Sequence, residues 1–189
     1  MTNDASDEDD VRNSTLEAFA DTIIPGEKRW PGDRAVAGAS TGGGAVSAGA
    51  LTLLEQPGTG MSPTLDSLAV LLNEHAREYA EARGDTLDDD APPFVALSFA
   101  NRTELVQQLT APDHPEKSMW VGLALFSNMA YDSAAHLNLA DAFAQGHPGL
   151  LAIGYARPDA TGVYQFPQFS YGRALAPIHP LTTATGSPA

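Results

Sequence analysis

The sequence predicts an all-α fold: an irregular bundle of about five to six helices, followed by an extended C-terminal tail rich in proline and aromatic residues. Apolar residues recur at spacings of three and four, proline and glycine separate these segments, and strands do not alternate with helices. We divide the chain into a disordered acidic arm (residues 1–12), a helical domain (13–154) and a tail (155–189) that packs on the body or on a partner.

Capping residues and apolar faces mark the first two long helices. Ser14-Thr15-Leu16-Glu17 is a capping box, and Pro25-Gly26 ends the helix that the box begins. Ser62-Pro63 begins a second helix, which ends at Gly84. The predicted apolar face of the second helix consists of Leu65, Leu68, Leu72, His75 and Tyr79.

Two further helices follow an acidic connector. Asn101, with Glu104 three residues later, repeats the capping pattern and begins a short helix. Its apolar residues are Leu105, Val106 and Leu109. Pro115 begins the longest helical region. The predicted core stripe of that region consists of Met119, Leu123, Phe126 and Ala130.

Composition excludes several classes of function. The formal net charge of −14 disfavours nucleic acids and anionic membranes, because both require clustered lysine and arginine. The chain has no cysteine, which excludes disulfides, zinc–thiolate sites and thiol catalysis. The N-terminus shows no basic region followed by an apolar stretch, so we expect a cytoplasmic location.

A glycine-rich segment resembles two catalytic loops. Gly38-Ala39-Ser40-Thr41-Gly42 matches the G-x-S-x-G elbow, which needs a strand before the serine and a helix after it. Residues 34–37 make a poor strand, so we interpret the segment as a flexible loop. The segment also lacks a Walker lysine and G-x-G-x-x-G, which disfavours a nucleotide-binding loop.

Two helical histidines are candidate metal ligands. A di-iron bundle site requires a glutamate three residues before each histidine. The residue at that position is Leu72 for His75 and Ser133 for His136. We interpret both as partly buried helix-face histidines and predict no metal site. His114 precedes a proline, which we interpret as the start of a helix.

We predict a partner-binding surface rather than a catalytic site. The tail is near neutral and aromatic, whereas disordered segments are usually poor in aromatic residues. The predicted partner contacts are Trp120, Phe166, Phe169, Tyr171 and Arg173. We expect Phe166, Phe169 and Tyr171 to be apolar anchors. Arg173 either pairs with a carboxylate of the acidic body or is exposed to solvent, and Trp120 either lies at the edge of the core or contacts the tail or a partner.

One motif resembles known proteins. Phe19-Ala-Asp21-Thr-Ile-Ile-Pro25-Gly26 is similar to the opening motif of gluconate 2-dehydrogenase subunit 3-like small subunits of membrane-associated flavin dehydrogenases. A longer pattern is similar to an uncharacterised bacterial family encoded beside GMC-type flavin oxidoreductases. Its segments are Pro25-Gly26-Glu27-Lys28-Arg29, Pro31-Gly32-Asp33-Arg34-Ala35, His114-Pro115-Glu116-Lys117, Leu125-Phe126-Ser127-Asn128-Met129-Ala130 and Phe169-Ser170-Tyr171-Gly172-Arg173.

The resemblance implies an all-helical accessory subunit without a cofactor of its own. Such a subunit binds and stabilises a large flavin-dependent oxidoreductase, here as a heterodimer, and FAD is expected in that partner. Exported members carry a twin-arginine signal, whereas this N-terminus is acidic with a lone Arg12. The resemblance therefore favours a cytoplasmic partner, and it transfers no catalytic residues.

Two alternatives stay open on the residues. The first is a small stand-alone enzyme of secondary metabolism, for which the candidate groups are Ser40, His75, Asp132 and His136. The second is a homo-oligomeric structural protein whose tail exchanges onto a second copy.

Overall fold

A computed structural model describes residues 3–155 and residue 180, and in these ranges the chain is helical, with no β-strand. The α-helices are α1 (Asn3–Ile23), α2 (Ala50–Glu55), α3 (Leu65–Arg83), α4 (Pro93–Ala96), α5 (Phe99–Leu109), α6 (Lys117–Ser133), α7 (Leu139–Ala144) and α8 (Pro148–Ala152). Short 3₁₀ turns occupy Pro57–Thr59 and Ser62–Thr64. The all-α prediction is confirmed. No helix in the described part of the chain is long and apolar enough to cross a bilayer.

The first helix begins eleven residues earlier than the capping box predicts. Ser14 lies inside α1, where its hydroxyl donates to the carbonyl of Asp10 at 2.7 Å instead of capping a helix end. The acidic segment that we interpreted as a disordered arm is therefore helical from Asn3 onward. Acidic residues in a first turn interact favourably with the helix dipole. Arg12 offsets part of their repulsion through ion pairs with Asp9, Glu55 and Asp66.

The core surrounds α1, which contacts α2, α3, α4, α5 and α6. The Phe19 ring lies 6.4 Å from that of Phe94 and 6.1 Å from that of Trp120. All three side chains are fully enclosed, and burial of each large apolar side chain contributes about 1.5–3 kcal/mol. The apolar faces of the surrounding helices therefore pack on one central helix, α1.

The predicted helix faces are confirmed for α3 and α5, and for α6 they are confirmed at Leu123 and Ala130 but not at Met119 and Phe126, which are half-buried. The apolar residues predicted for α3 and α5 are buried, except His75, which is half-buried. The buried face of α6 consists of Trp120, Leu123, Ser127 and Ala130. Ser98, and not Asn101, caps α5 by accepting the Asn101 amide at 3.2 Å.

The connector between α1 and α2, residues 24–49, is ordered by close backbone approach. The Glu27 amide donates to the Gly42 carbonyl at 2.8 Å, and the Ala45 amide donates to the Ile24 carbonyl at 3.0 Å. A Cβ on Gly44 would lie 2.6 Å from the Gly26 amide nitrogen, so only glycine fits there. The glycine run thus brings two backbone segments together, where we predicted a flexible loop.

Buried charges fix this connector to the helices, and we name them the buried polar network: Asp21, Asp33 and Arg102. The Asp21 carboxylate accepts the Gly26 amide at 3.1 Å and the Ala37 amide at 2.9 Å. Burial raises the pKa of Asp21, although both hydrogen bonds oppose the shift. The Arg102 guanidinium donates to the carbonyls of Arg34, Ala35, Phe94, Val95 and Leu97.

The chain divides into two units, residues 1–155 and residues 156–189. Of the second unit, the structure describes Pro180 alone. The predicted partner contacts Phe166, Phe169, Tyr171 and Arg173 lie outside the described residues. Their assignment stays a prediction.

Candidate functional site

Two histidines and a glutamate meet where α3 approaches the start of α6. His75 comes from α3, while His114 and Glu116 come from the connector that precedes α6. The Nε2 atom of His75 lies 2.9 Å from Oε2 of Glu116. Each of the three residues offers one ligand atom, and these atoms lie within 4.8 Å of one another. We name this group the His–Glu cluster.

The glutamate is the centre of the cluster. Glu116 occupies the N-cap position of α6, where the helix dipole favours a negative charge. Its Oε2 accepts from His75 and, at 3.1 Å, from Nε1 of Trp120. The hydrogen bond from His75 lowers the pKa of Glu116, and the bond from Trp120 adds to this shift. The carboxylate is therefore held ionised and oriented.

The second histidine faces the first. The ring of His114 lies edge-on to that of His75, with centroids 5.8 Å apart. Its Nδ1 accepts the backbone amide of Glu116 at 3.2 Å. All three members of the cluster are half-buried. The cluster can hold a proton between imidazole and carboxylate, or it can bind a cation.

A cleft of about 350 Å³ opens beside the cluster between α3 and α5. His75 and His114 line one part of it, and Tyr79, Arg83 and Glu104 line another. The Tyr79 hydroxyl donates to Glu104 at 2.9 Å, and Arg83 pairs with the same carboxylate at 3.3 Å. Burial raises the pKa of the Tyr79 hydroxyl, as does its bond to Glu104. The cleft thus places charged groups of both signs opposite two imidazoles.

The structure separates His136 from His75. His136 lies instead 6.2 Å, ring to ring, from His147, whose Nε2 is 3.1 Å from the Ala48 carbonyl oxygen. The Nδ1 atom of His136 is buried without a hydrogen-bond partner among the described residues. Burial lowers the pKa of His136, and the neighbouring His147 adds to the effect. These two histidines join α8 to the region before α2.

No nucleophile elbow forms around Ser40. This serine is exposed, its hydroxyl donates to the neighbouring Thr41 carbonyl at 3.4 Å, and the next helix begins only at Ala50. The elbow requires strand, serine and helix in direct succession. Asp132, also a candidate, is exposed on the last turn of α6. The candidate groups of the stand-alone enzyme therefore do not assemble in the described part of the chain.

Trp120 requires a correction, because we predicted it as a partner contact. Its side chain is 0 % exposed, so it is not available to a partner. An indole buries a large apolar area when its N–H finds an acceptor, and Glu116, one turn earlier, supplies that acceptor. The spacing of Glu116 and Trp120 was the signal in the sequence that could have placed this residue in the core.

Sequence reasoning missed His114 and Glu116 as site residues. They lie 39 and 41 positions after His75 in the chain, and only the tertiary fold, in which α3 and α6 both pack on α1, brings them to it. The available signal was the His114-Pro115-Glu116 triplet itself, which places two ligand types at the start of a helix.

A larger cleft of about 530 Å³ lies between α1 and α3. Arg12 lines it and pairs with Asp66 across it at 3.3 Å. The described residues around it include the carboxylates of Glu8, Asp9 and Asp66 but no histidine or serine.

Comparison with known proteins gives one result at the level of family. No curated protein and no solved structure matches the chain. A family model described as a family of unknown function (DUF5987) matches residues 10–189. Because this match covers nearly the whole chain, the protein belongs to the DUF5987 family.

Proposed function

We propose that this chain is a non-catalytic accessory (small) subunit that binds and stabilises a FAD-dependent GMC-type oxidoreductase. The proposal rests on the resemblance of residues 19–26 to flavin-dehydrogenase small subunits and on an exposed apolar face of α6. The FAD belongs to the partner, and the two chains form a heterodimer.

The outer face of α6 is the observation that carries the proposal. Residues 121–126 read Val-Gly-Leu-Ala-Leu-Phe, so this part of the helix is apolar on every side. A helix that is apolar all round is normally buried all round. Val121 is nevertheless 42 % exposed and Leu125 is 56 % exposed, one turn apart on the same face. This face has the composition of a surface that another protein covers.

A second group of exposed apolar side chains begins in the last turn of α8 and continues past its end. Leu151, Ile153 and Tyr155 are each more than two-fifths exposed. Isolated exposed apolar residues are normal, but three within five residues are typical of a contact surface. Full burial of an exposed valine, leucine or isoleucine contributes about 1.5–3 kcal/mol, and because these side chains are already about half covered, each would contribute about half of that. The two groups together therefore supply apolar area for a specific interface.

The motif shared with the small subunits has a structural use that agrees with a non-catalytic role. Asp21, its most polar residue, binds two backbone amides and is 1 % exposed. A carboxylate used in this way orders a connector and cannot reach a substrate. The motif therefore has a structural role in this chain, and in the proposed complex the flavoprotein carries out the chemistry.

Co-expression with a GMC-type flavoprotein from the same organism tests the proposal. Size-exclusion chromatography, read by protein and flavin absorbance, should show the two chains in one peak at equal stoichiometry. Leu125→Glu should weaken this association at least tenfold, because a charge would be buried at the interface. Val70→Glu is the matched control, since Val70 is exposed on α3, away from α6.

Separate elution of the two chains, with a flavoprotein that is stable and active alone, would contradict the proposal. A self-assembled oligomer of this chain that excludes the flavoprotein would contradict it as well.

A further inference from the structure

We infer that His75, His114 and Glu116 form a binding site for one divalent transition-metal ion of the zinc type. This inference goes beyond the proposed function and does not depend on it, because it concerns only the described body of the chain. It also replaces our prediction from the sequence that the chain has no metal site.

The ligand types select the metal. Two imidazoles and one carboxylate form the His₂Glu set that binds zinc in several hydrolytic enzymes. Calcium and magnesium take oxygen ligands almost exclusively, so a site with two imidazoles disfavours them. Imidazole suits zinc and its first-row neighbours, and the chain has no cysteine to compete for such an ion.

The spacing of the ligand atoms is near that of a metal site. With metal–ligand bonds of about 2.0–2.1 Å, tetrahedral ligand atoms lie about 3.3 Å apart. His75 Nε2 and Glu116 Oε2 are 2.9 Å apart, and the widest separation in the cluster is within 4.8 Å. Two imidazoles on one ion have centroids about 5 Å apart by the same bond lengths, and here they are 5.8 Å apart. Small side-chain rotations suffice to close the site.

The surroundings hold the ligands in place. Trp120, fully buried, donates to Oε2 of Glu116, as the outer groups that orient metal-bound carboxylates do. The other oxygen of Glu116 has no hydrogen-bond partner among the described residues and can serve as a ligand. His114 lies outside the helices, and the one hydrogen bond of its side chain, 3.2 Å long, is the longest side-chain hydrogen bond in the cluster. Its ring can therefore turn towards the ion.

The cleft leaves room for a further ligand. A structural zinc site has four protein ligands. A catalytic zinc site has three, and its fourth coordination position stays open for water or substrate. His75 and His114 line the cleft of about 350 Å³, so the ion would face it. Water or a small anion would take the remaining position, on the side where Arg83 lies.

A metal titration of the full-length protein, stripped with chelator and dialysed, tests the inference. Calorimetry with zinc, and visible absorption with cobalt as its spectroscopic substitute, should both give one ion per chain. Magnesium should not compete. His114→Ala should weaken zinc binding at least tenfold, while His75, Glu116 and Trp120 keep their hydrogen bonds. Glu78→Gln is the matched control, because Glu78 lines the same cleft but is outside the cluster.

The alternative is that the cluster is only a hydrogen-bonded contact between α3 and α6. Absence of stoichiometric zinc binding, or equal affinity in wild-type protein and His114→Ala, would overturn the metal site. Neither result bears on the flavoprotein complex, which is tested by co-elution and by Leu125→Glu. A folded His114→Ala protein, verified by circular dichroism, ensures that lost binding reports the lost ligand.

Discussion

The buried polar network and the His–Glu cluster use similar residue types in opposite ways. In the network, the charged groups of Asp21 and Arg102 are committed to backbone partners that fix a connector. In the cluster, Glu116 and two histidines are half-buried beside a cleft and keep unused binding capacity. The comparison shows that charged groups that are buried and fully hydrogen-bonded have a structural role. Charged groups that converge beside an accessible cleft are instead suited to binding.

Removal of Arg102 should have the largest effect on stability. Arg102→Met would leave five backbone carbonyls without their donor, and burial already lowers the pKa of this arginine to about 10. We expect a loss of about 3–5 kcal/mol in the free energy of unfolding. Urea denaturation followed by circular dichroism measures it. Arg77→Met, at an exposed position of α3, is the control and should change stability by less than about 0.5 kcal/mol.

Asp21→Ala should have the next largest effect. The change removes the acceptor of two buried amides, those of Gly26 and Ala37. We expect a loss of about 2–3 kcal/mol, because unsatisfied buried donors retain their desolvation cost. Asp66→Ala, at a side chain that is 81 % exposed, serves as control in the same denaturation series. Equal stability of the Asp21 and Asp66 variants would show that the network does not hold the connector.

His147 and His114 both precede a proline, and replacing each of them compares a structural histidine with one of the His–Glu cluster. His147 is buried, accepts the Leu150 amide and contacts the Ala48 carbonyl, so His147→Ala should cost about 1–2 kcal/mol. His114→Ala, in metal-free buffer, should cost less than about 0.5 kcal/mol. Thermal unfolding with and without zinc separates the two roles: zinc should raise the midpoint of the His147 variant but not that of the His114 variant.

The smallest expected effect is the loss of stability on acidification that Glu116 causes. The pKa of Glu116 is lowered in the folded state by its bond from His75, so its contribution to stability is present above the unfolded value of 4.5. That contribution is lost as the pH falls below 4.5 through the folded pKa. Glu116→Gln should therefore be less stable than wild type at pH 7, by about 0.5 kcal/mol. The gap should close near pH 3, and a gap independent of pH would contradict the ionised Glu116.

Local sequence patterns predicted the helices and their inward faces well. Leu65, Leu68 and Leu72 of α3 follow the helical period and are buried as expected. Periodicity failed at the ends of elements, since α1 begins at Asn3 and not at Ser14. It failed there because ion pairs of Arg12 with α2 and α3 support the acidic turns, and such long-range contacts leave no local signal.

The candidate site was less predictable than the fold. His75 was identified as a candidate, but its partners His114 and Glu116 depend on how α3 and the start of α6 are brought together in the fold. On α6, Leu123 and Ala130 are buried as predicted, whereas Trp120 and Ser127 are buried in place of Met119 and Phe126. The side chain of Trp120 lies inward because Glu116, one turn earlier, satisfies its N–H, and apolar periodicity takes no account of such a pairing.

Whether this chain stabilises a GMC-type flavoprotein, as proposed, is the most direct test of the central claim. Thermal unfolding of the flavoprotein, monitored through the release of its flavin, should be measured in three samples: the flavoprotein alone, with this chain, and with the Leu125→Glu variant of this chain. At a concentration 100 times the dissociation constant, this chain should stabilise the flavoprotein by about 2.7 kcal/mol, and the variant should do so less. An unfolding midpoint unchanged by this chain at every concentration would contradict the assignment as an accessory subunit.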